Sequence, residues 1–501
     1  IRRALVSVYH KEGLAEILKL LHEQGVEFVS TGGTSTFIEG LGYPCVAVED
    51  LTKYPSMLGG RVKTLHPAIQ GGILARRGHE TDQKEVLEYG LSLIDLVIVD
   101  LYPFEATVAS GASEEDIIEK IDIGGISLIR GAAKNFEDVV IIPSQADYAT
   151  LLEILRERGA RTTLEERRHF ARRAFAVSSH YDSAIFRYFD AEDHSALRLT
   201  ADEAKPLRYG ENPHQKGVFY GDLDRYFEQL HGKELSYNNL QDVEAAVSLI
   251  QDFSEPTFAI LKHNNACGCA SRPTLLEAWT DALAGDPVSA FGGVLVANRP
   301  IDVATAREID KLFLEVLIAP DFEAEALTIL EGKKNRILLR QKEAIDARWS
   351  YRSMLGGVLA QETDRAVETT AEMKPVTKVA PTAEELTDLV FATKLVKHSK
   401  SNAIVLSKGG QLIASGVGQT SRVDALKQAI EKARHFGFDL KGAVLASDAF
   451  FPFDDCVTLA AEAGITAIAQ PGGSVRDADS IAAADRLGVA MVMTGVRHFK
   501  H

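Results

Sequence analysis

The chain of 501 residues is too long for a single hydrophobic core, and the usual size of domains predicts roughly two to four of them. Its hydrophobic fraction of 46% and charged fraction of 25% are typical of soluble globular proteins and exclude a disordered or fibrous protein. A formal net charge of −16 argues against a broad nucleic-acid surface, although small anions can still bind where cations converge.

The composition also predicts the cellular compartment. No stretch approaches the roughly 20 apolar residues that span a bilayer, and the first residues lack the apolar length and the cleavage site of a signal peptide. The 4 cysteines do not form a disulfide framework. We therefore expect a cytoplasmic protein with no membrane contact and no nucleic-acid partner.

The amino-terminal region alternates strand and helix signals. Residues 4 to 9 predict a buried strand, and residues 14 to 21 repeat apolar side chains at helical spacing. A second strand, residues 27 to 30, is followed by a run of glycines and hydroxyl residues, Thr31-Gly32-Gly33-Thr34-Ser35. Glycines let a ligand approach the backbone and hydroxyls can donate to phosphate oxygens, but a plain strand-to-helix connection is the alternative.

A basic segment follows, Gly59-Gly60-Arg61-Val62-Lys63-Thr64-Leu65-His66-Pro67. If this segment is extended, Arg61 and Lys63 lie on one side, where a bound phosphate would offset their repulsion. A solvated basic loop is the alternative.

Three further polar residues stand beside predicted elements. Tyr102 follows an apolar strand, residues 93 to 101, either at a ligand site or as an aromatic cap on the core. Asp122 and Lys134 fit the start and the end of one helix, where they either flank a pocket or form a solvated face.

The first region ends with a strand at residues 138 to 142 and a helix at residues 145 to 158. A long helix then begins at a capping box of Thr163 and Glu166 and runs to about Phe189. Residues 191 to 206 are polar and poorly periodic, which predicts a linker.

The second region contains a polar cluster directly after an apolar strand, residues 257 to 261. The cluster reads Lys262-His263-Asn264-Asn265-Ala266-Cys267-Gly268. It is either a ligand site at the end of a strand or a strand-to-loop transition with a solvent-facing lysine. The cysteine spacing does not match that of zinc deaminases, so we expect no transition metal.

Other signals in the second region place helices at residues 274 to 284 and 303 to 316 and a buried run at residues 288 to 296. A helix at residues 382 to 396 starts a comparable series. Its glycine pair at Gly416 and Gly418 lacks the third glycine of a dinucleotide fingerprint, so we do not predict NAD. Residues 450 to 453 include three phenylalanines and predict a partly open apolar wall for a flat heteroaromatic ligand.

Motifs along the whole chain carry a family resemblance: Arg61-Val-Lys63-Thr-Leu-His-Pro, Asp100-Leu-Tyr102-Pro-Phe, Ile-Asp122-Ile-Gly-Gly, Ala-Ala-Lys134-Asn, Leu-Arg208-Tyr209-Gly-x-Asn-Pro-His-Gln and Lys262-His263-x-Asn. Together they resemble the bifunctional AICAR transformylase and IMP cyclohydrolase of purine biosynthesis. The resemblance implies an α/β protein with a methylglyoxal-synthase-like domain over residues 1–190 and a linker at 191–206. A transformylase region of two cytidine-deaminase-like α/β halves without zinc, residues 207–360 and 361–501, would follow.

The resemblance also implies the reactions and the assembly. A formyl group would pass from 10-formyltetrahydrofolate, the co-substrate, to AICAR, and the product FAICAR would close to IMP with loss of water. An intertwined homodimer is implied, and the binding of a monovalent cation is left open.

The residues of these sites are carried over from the resemblance. The catalytic set is Lys262, His263 and Asn402 for transfer and Lys63, Tyr102, Asp122 and Lys134 for ring closure. The substrate-binding set is Lys11, Thr31, Gly33, Thr34, Arg61, Thr64, Arg208, Tyr209, Asn239, Arg422, Phe450, Arg497 and Phe499. The folate-binding set is Phe291, Pro452, Phe453 and Asp455.

One loop departs from the family pattern. The family's first loop usually reads Ser-Val-Ser-Asp-Lys, whereas this chain has Ser7-Val8-Tyr9-His10-Lys11, which puts the detail of phosphate binding there in question. Two alternatives stay open: the first region could serve only to bind a phosphorylated effector, and the second could be a nucleotide-binding relic or a deaminase.

Overall fold

The computed structural model describes residues 1–191, 193–201 and 203–501. The chain forms two compact units, Ile1–Asp202 and Glu203–His501. Two residues of the predicted linker, Glu192 and Asp202, lie outside the described residues, and the last three residues of that segment belong to a strand that begins at Ala204. Within the described ranges, no helix combines the length and the hydropathy needed to cross a bilayer.

The first unit alternates strands and helices. Its strands are β1 (Arg3–Val8), β2 (Glu27–Ser30), β3 (Cys45–Ala47), β4 (Leu96–Asp100) and β5 (Val140–Ile142). Its helices are α1 (Leu14–Glu23), α2 (Gly32–Gly40), α3 (Val48–Thr52), α4 (Pro67–Leu74), α5 (Glu80–Glu88), α6 (Phe104–Ala109), α7 (Glu114–Ile118), α8 (Gly124–Lys134), α9 (Tyr148–Arg158) and α10 (Leu164–Phe189). Short 3-10 turns lie at Leu58–Gly60 and Gln145–Asp147.

The first sheet is parallel throughout, in the order β3-β2-β1-β4-β5. Apart from the half-buried edge strand β3, its strands are mostly buried, as expected for a parallel sheet whose crossovers carry helices. The carboxyl ends of these strands meet at one edge, the usual place for a ligand in an α/β protein. The predicted capping box of α10 is confirmed, because Thr163 Oγ1 accepts from Glu166 N at 3.2 Å and Glu166 Oε2 accepts from Thr163 N at 2.7 Å.

The second unit is larger and its strands outnumber those of the first. The strands are β6 (Ala204–Leu207), β7 (Gly217–Tyr220), β8 (Phe227–His231), β9 (Thr257–Lys262), β10 (Asn265–Ser271), β11 (Val294–Ala297), β12 (Val316–Ala319), β13 (Ile337–Gln341), β14 (Trp349–Met354), β15 (Gly357–Glu362), β16 (Lys374–Pro375), β17 (Ile404–Lys408), β18 (Gln411–Gly416), β19 (Val444–Ser447), β20 (Ala467–Gln470) and β21 (Ala490–Met493). The helices are α11 (Tyr237–Ile250), α12 (Leu275–Gly285), α13 (Val303–Ile309), α14 (Ala324–Leu330), α15 (Ala383–Lys397), α16 (Arg422–His435), α17 (Asp455–Ala463) and α18 (Asp477–Leu487).

The main sheet of the second unit repeats one strand pattern. Its 12 strands run in the order β16-β21-β20-β19-β17-β18-β10-β9-β11-β12-β13-β8. Read outwards from the central pair β18 and β10, both halves have the same sequence of pairings: antiparallel, antiparallel, parallel, parallel, antiparallel. One antiparallel bridge, Ala270 with Gln411, joins the halves. Helices α11 and α15 share a core on one face, and the remaining helices cover the other.

Two sequence predictions in this unit were wrong. The helix predicted at residues 303 to 316 ends at Ile309, and Val316 already belongs to β12, a continuously buried strand between two parallel neighbours. In the run predicted as buried, residues 288 to 296, only the part from Val294 is strand, and Val288 is exposed in the preceding turn.

Candidate active sites

The carboxyl edge of the first sheet offers a corner suited to an anion. Thr31 caps α2, and its buried hydroxyl has no hydrogen-bond partner within the described part of the chain. Thr34 Oγ1 donates to Val8 O at 3.0 Å and accepts from Val8 N at 3.3 Å, which ties the start of α2 to the end of β1. Gly33 is exposed in the first turn of α2, where free backbone amides and the helix dipole attract negative charge.

The basic segment at residues 61 to 64 is not extended, so the condition for placing Arg61 and Lys63 on one side is not met. A 3-10 turn at Leu58–Gly60 folds the chain back, so that Met57 N donates to Val62 O at 3.4 Å. The two cations therefore diverge: Arg61 pairs with Glu119 at the surface, whereas Lys63 turns towards α2.

The ammonium of Lys63 lies at the anion corner. A Cβ added to Gly60 would come within 2.8 Å of Lys63 Nζ, and one added to Gly32 within 3.5 Å. Thr64 is buried, with its hydroxyl 3.1 Å from where a Cβ on Gly124 would stand at the start of α8. Lys63 and Thr64 thus connect the corner to α8.

Tyr102 and Asp122 lie in one electrostatic neighbourhood. Burial raises the pKa of Tyr102, and the carboxylate of Asp122 adds to the rise. Burial likewise raises the pKa of Asp122, although Asp122 Oδ1 accepts from Gly125 N at 2.6 Å, which opposes the rise. A carboxyl group that holds its proton more readily, beside a phenol, can exchange protons with a reacting ligand.

The first-loop residues that differ from the family pattern are integrated in this site. The ring of Tyr9 meets that of Tyr102 edge-on, with centroids 5.5 Å apart, and His10 Nδ1 lies 2.7 Å from Asp100 Oδ2. Lys11 Nζ donates to the carbonyl oxygens of Val8 at 3.0 Å and Tyr9 at 2.8 Å. Lys11 therefore closes its own loop.

Lys134 lies apart from Asp122, because the two residues flank α8 at opposite ends. Eleven helical residues extend for about 16 Å along the axis, so Lys134 does not join the cluster around Tyr102.

Sequence reasoning missed two neighbours of the first site. Lys120 Nζ lies 5.4 Å from the ring centre of Tyr9 and 5.7 Å from that of Tyr102. Tyr181 on α10 accepts a hydrogen bond from Asp122 N at 2.8 Å. No pattern near these residues signals such contacts.

In the second unit, Lys262 and His263 line a cavity of about 450 Å³. The opposite lining comes from the second half of the repeat, with Ser415, Val417, Gln428 and Lys432. Lys262 Nζ donates to Phe291 O, and Lys432 Nζ lies 2.7 Å from Asp286 Oδ2. The cavity thus carries two ammonium groups and an imidazole, a suitable set for an anionic or carbonyl-containing ligand.

The polar cluster is a tight hairpin and not a strand-to-loop transition. His263 and Asn264 alone connect β9 to β10, and both have positive φ, 52° and 64°. Cys267 and Cys269 are buried in β10, and burial raises the pKa of Cys267 to about 12. These thiols are core residues.

The segment that carries Asn402 is connected to the hairpin through Asn265, which the sequence analysis did not include among the site residues. Asn265 Nδ2 donates to His263 O at 2.9 Å, and Asn265 Oδ1 accepts from Lys400 N at 3.0 Å. Asn402 Nδ2 in turn donates to Gln419 O at 2.9 Å. A chain of hydrogen bonds therefore links the first half's hairpin to the second half's segment before β17.

Arg422, predicted to hold the nucleotide, is buried and already paired. Its Nη1 donates to Asp448 Oδ1 at 2.7 Å and its Nε to Phe450 O at 3.2 Å. Burial lowers the pKa of Arg422, and the charge of Asp448 opposes that effect. The guanidinium supports the loop that carries Phe450.

The predicted apolar wall is divided between core and surface. Phe451 is 0% exposed, whereas Phe450 is 36% and Phe453 51% exposed. Pro452 is exposed beside them, and Asp455 Oδ1 accepts from Cys456 N at 2.7 Å at the start of α17. Phe451 is therefore a packing residue, and its neighbours remain open to a ligand.

The remaining predicted residues are placed as follows. Phe291 is exposed and its ring lies 5.0 Å from that of Phe313. Arg208 stacks on Tyr209 at 5.5 Å, and Arg497 on Phe499 at 4.4 Å. Asn239 is buried in the capping box of α11, where its Oδ1 accepts from Ser236 N at 3.2 Å, so its side chain is committed to the helix start.

These features define a two-unit α/β enzyme with one small-molecule centre in each unit. A family model described as AICARFT/IMPCHase bienzyme matches residues 132–432, and a model of an MGS-like domain matches residues 13–127. The bifunctional purine biosynthesis protein PurH of Bacteroides thetaiotaomicron is 68% identical over 501 residues, which cover 100% of this chain and 99% of that protein. The protein of the same name from Chloroflexus aurantiacus is 48% identical over 506 residues, which cover 100% and 98%.

The chain belongs to the AICARFT/IMPCHase bienzyme family. Proteins of this family catalyse AICAR formyl transfer and IMP cyclohydrolysis in purine biosynthesis, and this chain is a bifunctional enzyme of that kind. The predicted family, enzyme class and order of the MGS-like domain and the transformylase region are confirmed.

Proposed function

We propose that formyl transfer takes place in the cavity lined by Lys262 and His263, with 10-formyltetrahydrofolate as the donor. The observation that carries this assignment is the meeting of an imidazole and two ammonium groups, from Lys262 and Lys432, in one cavity. His263 takes a proton from the AICAR amine while the amine nitrogen forms a bond to the formyl carbon. The bond from that carbon to the folate nitrogen breaks, and the proton passes to the departing nitrogen. Lys262 stabilises the negative charge that develops on the formyl oxygen.

The other proposed contacts of this site surround AICAR and the folate. Asn402 orients the reacting amine or the carboxamide. The exposed rings of Phe291, whose carbonyl oxygen accepts from Lys262, and of Phe453 are the proposed aromatic surfaces for the pterin. The nucleotide contacts assigned from the family resemblance are Arg208, Tyr209, Asn239, Arg422, Phe450, Arg497 and Phe499, of which Asn239 and Arg422 are already hydrogen-bonded within the protein. The folate contacts assigned in the same way also include Pro452 and Asp455.

Ring closure is proposed for the anion corner of the first unit. The carboxamide nitrogen of FAICAR adds to its own formyl carbon, a step favoured by proximity, and water leaves. Lys63 and the start of α2 hold anionic groups, and the raised pKa values of Tyr102 and Asp122 support a role in moving protons. Lys134 is included in the proposed catalytic set on the family resemblance alone, because it lies apart from the cluster around Tyr102. The phosphate contacts assigned from the same resemblance are Lys11, Thr31, Gly33, Thr34, Arg61 and Thr64, of which Arg61 is already paired with Glu119.

A homodimer is part of the proposal. The hairpin of β14 and β15 carries exposed apolar side chains, among them Tyr351, Leu355 and Leu359. An isolated two-stranded hairpin is at best marginally stable in water, so a second copy of the chain is its proposed partner. Sedimentation of the full chain tests this, and a monomer at micromolar concentration contradicts it.

We also propose the bounds of the two transformylase halves, the cellular compartment and a test for a monovalent cation. The transformylase halves are residues 207–360 and 361–501, in keeping with the repeated strand pattern. The four cysteines are free thiols, which supports a reducing cytoplasm. Dependence on a monovalent cation is tested by comparing formyl transfer in potassium and lithium salts.

The test of the two centres is an assay of the full chain with AICAR and 10-formyltetrahydrofolate, in which FAICAR and IMP are measured separately. His263→Ala should abolish FAICAR formation and leave the conversion of added FAICAR to IMP intact. Lys63→Ala should do the reverse. Formyl transfer that survives in His263→Ala refutes the assignment of the base.

A further inference from the structure

Two hairpin turns of the second unit are equivalent in its repeated sheet. His263 and Asn264 join β9 to β10, and Gly409 and Gly410 join β17 to β18. In each half, the residue two positions before the turn pairs with the first residue of the next strand in the sheet: Leu261 with Val294, and Ser407 with Val444. The second half therefore shows what the same turn looks like without a functional side chain.

The turns share a backbone conformation that suits only one of them. All four turn residues have positive φ, with values from 52° at His263 to 67° at Gly410. Glycine adopts this left-handed region freely, whereas a histidine does so at a cost because its Cβ crowds the backbone. The turn that carries His263 therefore needs support from outside.

A carboxylate from a neighbouring helix supports each turn. Asp388 on α15 accepts from Gly409 N and Gly410 N, both at 2.6 Å. Asp242 on α11 accepts from Asn264 N at 2.7 Å. In both halves the carboxylate precedes the second turn residue by 22 positions, so the two contacts are equivalent.

Asp242 makes a further hydrogen bond to its turn, through the side chain of Asn264. With the Asn264 amide oriented to satisfy its neighbours, the side-chain nitrogen donates to Asp242 Oδ1 at 3.1 Å and to Gln241 O at 3.0 Å. Asp242 is half-buried, and Lys262 and His263 both lie close enough to interact electrostatically with its carboxylate. The carboxylate of Asp242 is thus a hydrogen-bond acceptor for the turn and a negative charge beside the two site residues.

We propose that Asp242 is a positioning residue for formyl transfer, whose carboxylate fixes the left-handed turn that presents His263 to the cavity. The inference rests on the proposed role of His263 as the base. Asp242 acts through the backbone of Asn264, and His263 itself lines the cavity. Loss of this carboxylate lets the turn relax, which moves the imidazole away from the reacting amine.

The repeat provides the matched control. Asp242→Ala should lower kcat of formyl transfer by about 100-fold, the cost of a displacement of about 1 Å, with KM changed less than about threefold. Asp388→Ala removes the equivalent contact from a turn without site residues and should leave kcat within about threefold. Asp242→Asn keeps an acceptor oxygen and should lose less than Asp242→Ala. Conversion of added FAICAR to IMP should be unchanged in every variant.

A rescue separates positioning from a general loss of structure. Asn264 shares the left-handed conformation, which glycine adopts more freely, so adding Asn264→Gly to Asp242→Ala should restore kcat at least about tenfold. Equal losses in Asp242→Ala and Asp388→Ala, or the absence of rescue, would overturn the proposal.

Two further comparisons keep the result interpretable. If Asp388→Ala does not fold, Asp242→Asn and Asp388→Asn provide the same contrast. If His263→Ala abolishes transfer and Asp242→Ala does not weaken it, the positioning role of Asp242 is refuted and the role of His263 as the base stands. If His263→Ala retains transfer, the assignment of the base falls and this inference with it.

Discussion

Replacing His498 with Gln is expected to make the stability of the second unit depend less on pH. His498 is 3% exposed, with Nδ1 2.6 Å from Asp364 Oδ2 and Nε2 2.8 Å from Glu368 Oε1. Burial alone would lower the pKa of His498, but the hydrogen bonds to the two carboxylates outweigh it and raise the pKa to about 9. The folded protein therefore holds an imidazolium between two acids.

The size of the effect follows from this pKa. A pKa that rises from 6.5 in the unfolded chain to about 9 in the folded one corresponds to about 3 kcal/mol, at about 1.4 kcal/mol for each pH unit. Because the folded value is the higher one, the stabilisation is complete below pH 6.5 and is lost as the pH rises through about 9.

The protein's 2 tryptophans make the measurement specific. Trp279 and Trp349 both lie in the second unit, so urea unfolding followed by tryptophan fluorescence reports on that unit. His498→Gln should be less stable than the parent by about 3 kcal/mol at pH 6 and by less than about 1 kcal/mol at pH 10.

His435→Gln, at an exposed helix end, is the control and should change stability by no more than about 0.5 kcal/mol at either pH. A difference between His498→Gln and the parent that is equal at pH 6 and pH 10, or absent at both, would refute the reasoning.

Three further outcomes are expected. Lys63→Ala should lower kcat/KM for FAICAR by about 100-fold or more. Arg61→Ala should lower it less, because the guanidinium of Arg61 is paired with Glu119 at the surface. Equal losses would contradict the divergence of the two cations. Phe451→Ala should destabilise the second unit by about 3–5 kcal/mol in the urea assay. Phe453→Ala should instead raise the KM for the folate donor, and a large loss of stability there would contradict its exposure. Since burial raises the pKa of Asp122, the acid limb of the pH profile of IMP formation should lie above the ordinary carboxyl range, and Asp122→Asn should remove it.

Local sequence signals predicted many elements well because their causes are local. The capping box of Thr163 and Glu166 and the helical spacing after it predicted α10, whose last residue is the expected Phe189. Likewise, β2 occupies residues 27 to 30 as predicted. In both cases, neighbours along the chain supply the hydrogen bonds or the apolar period.

Elements whose form depends on distant residues were predicted less well. The turn at Leu58–Gly60, which separates Arg61 from Lys63, breaks the alternation on which the shared-anion interpretation depended. Phe451 lies in the core, and its backbone N donates to Gln470 Oε1 at 2.9 Å, across a sequence separation of 19 residues. A pattern of four consecutive residues cannot show which of them a distant strand will bury.

The candidate sites show the same limit. Lys262, His263 and Tyr102 are recognisable as polar residues at the ends of apolar strands. Asp242 is not recognisable in this way, and neither is the hydrogen bond from Lys400 N to Asn265, because folding brings these residues close to their partners. The imidazolium of His498 joins segments 130 or more positions apart, which no local period encodes.

The repeated sheet has a consequence for how this enzyme can change. One half carries a histidine-asparagine turn and the other a glycine-glycine turn in the same position of the sheet, so the sheet tolerates either pair of turn residues. The glycine turn carries no side chain for chemistry, but strand β18, which follows it, still contributes Ser415 to the cavity lining. Mutational tolerance should accordingly be unequal between the copies, with Gly409 and Gly410 open to asparagine or aspartate and His263 closed to exchange.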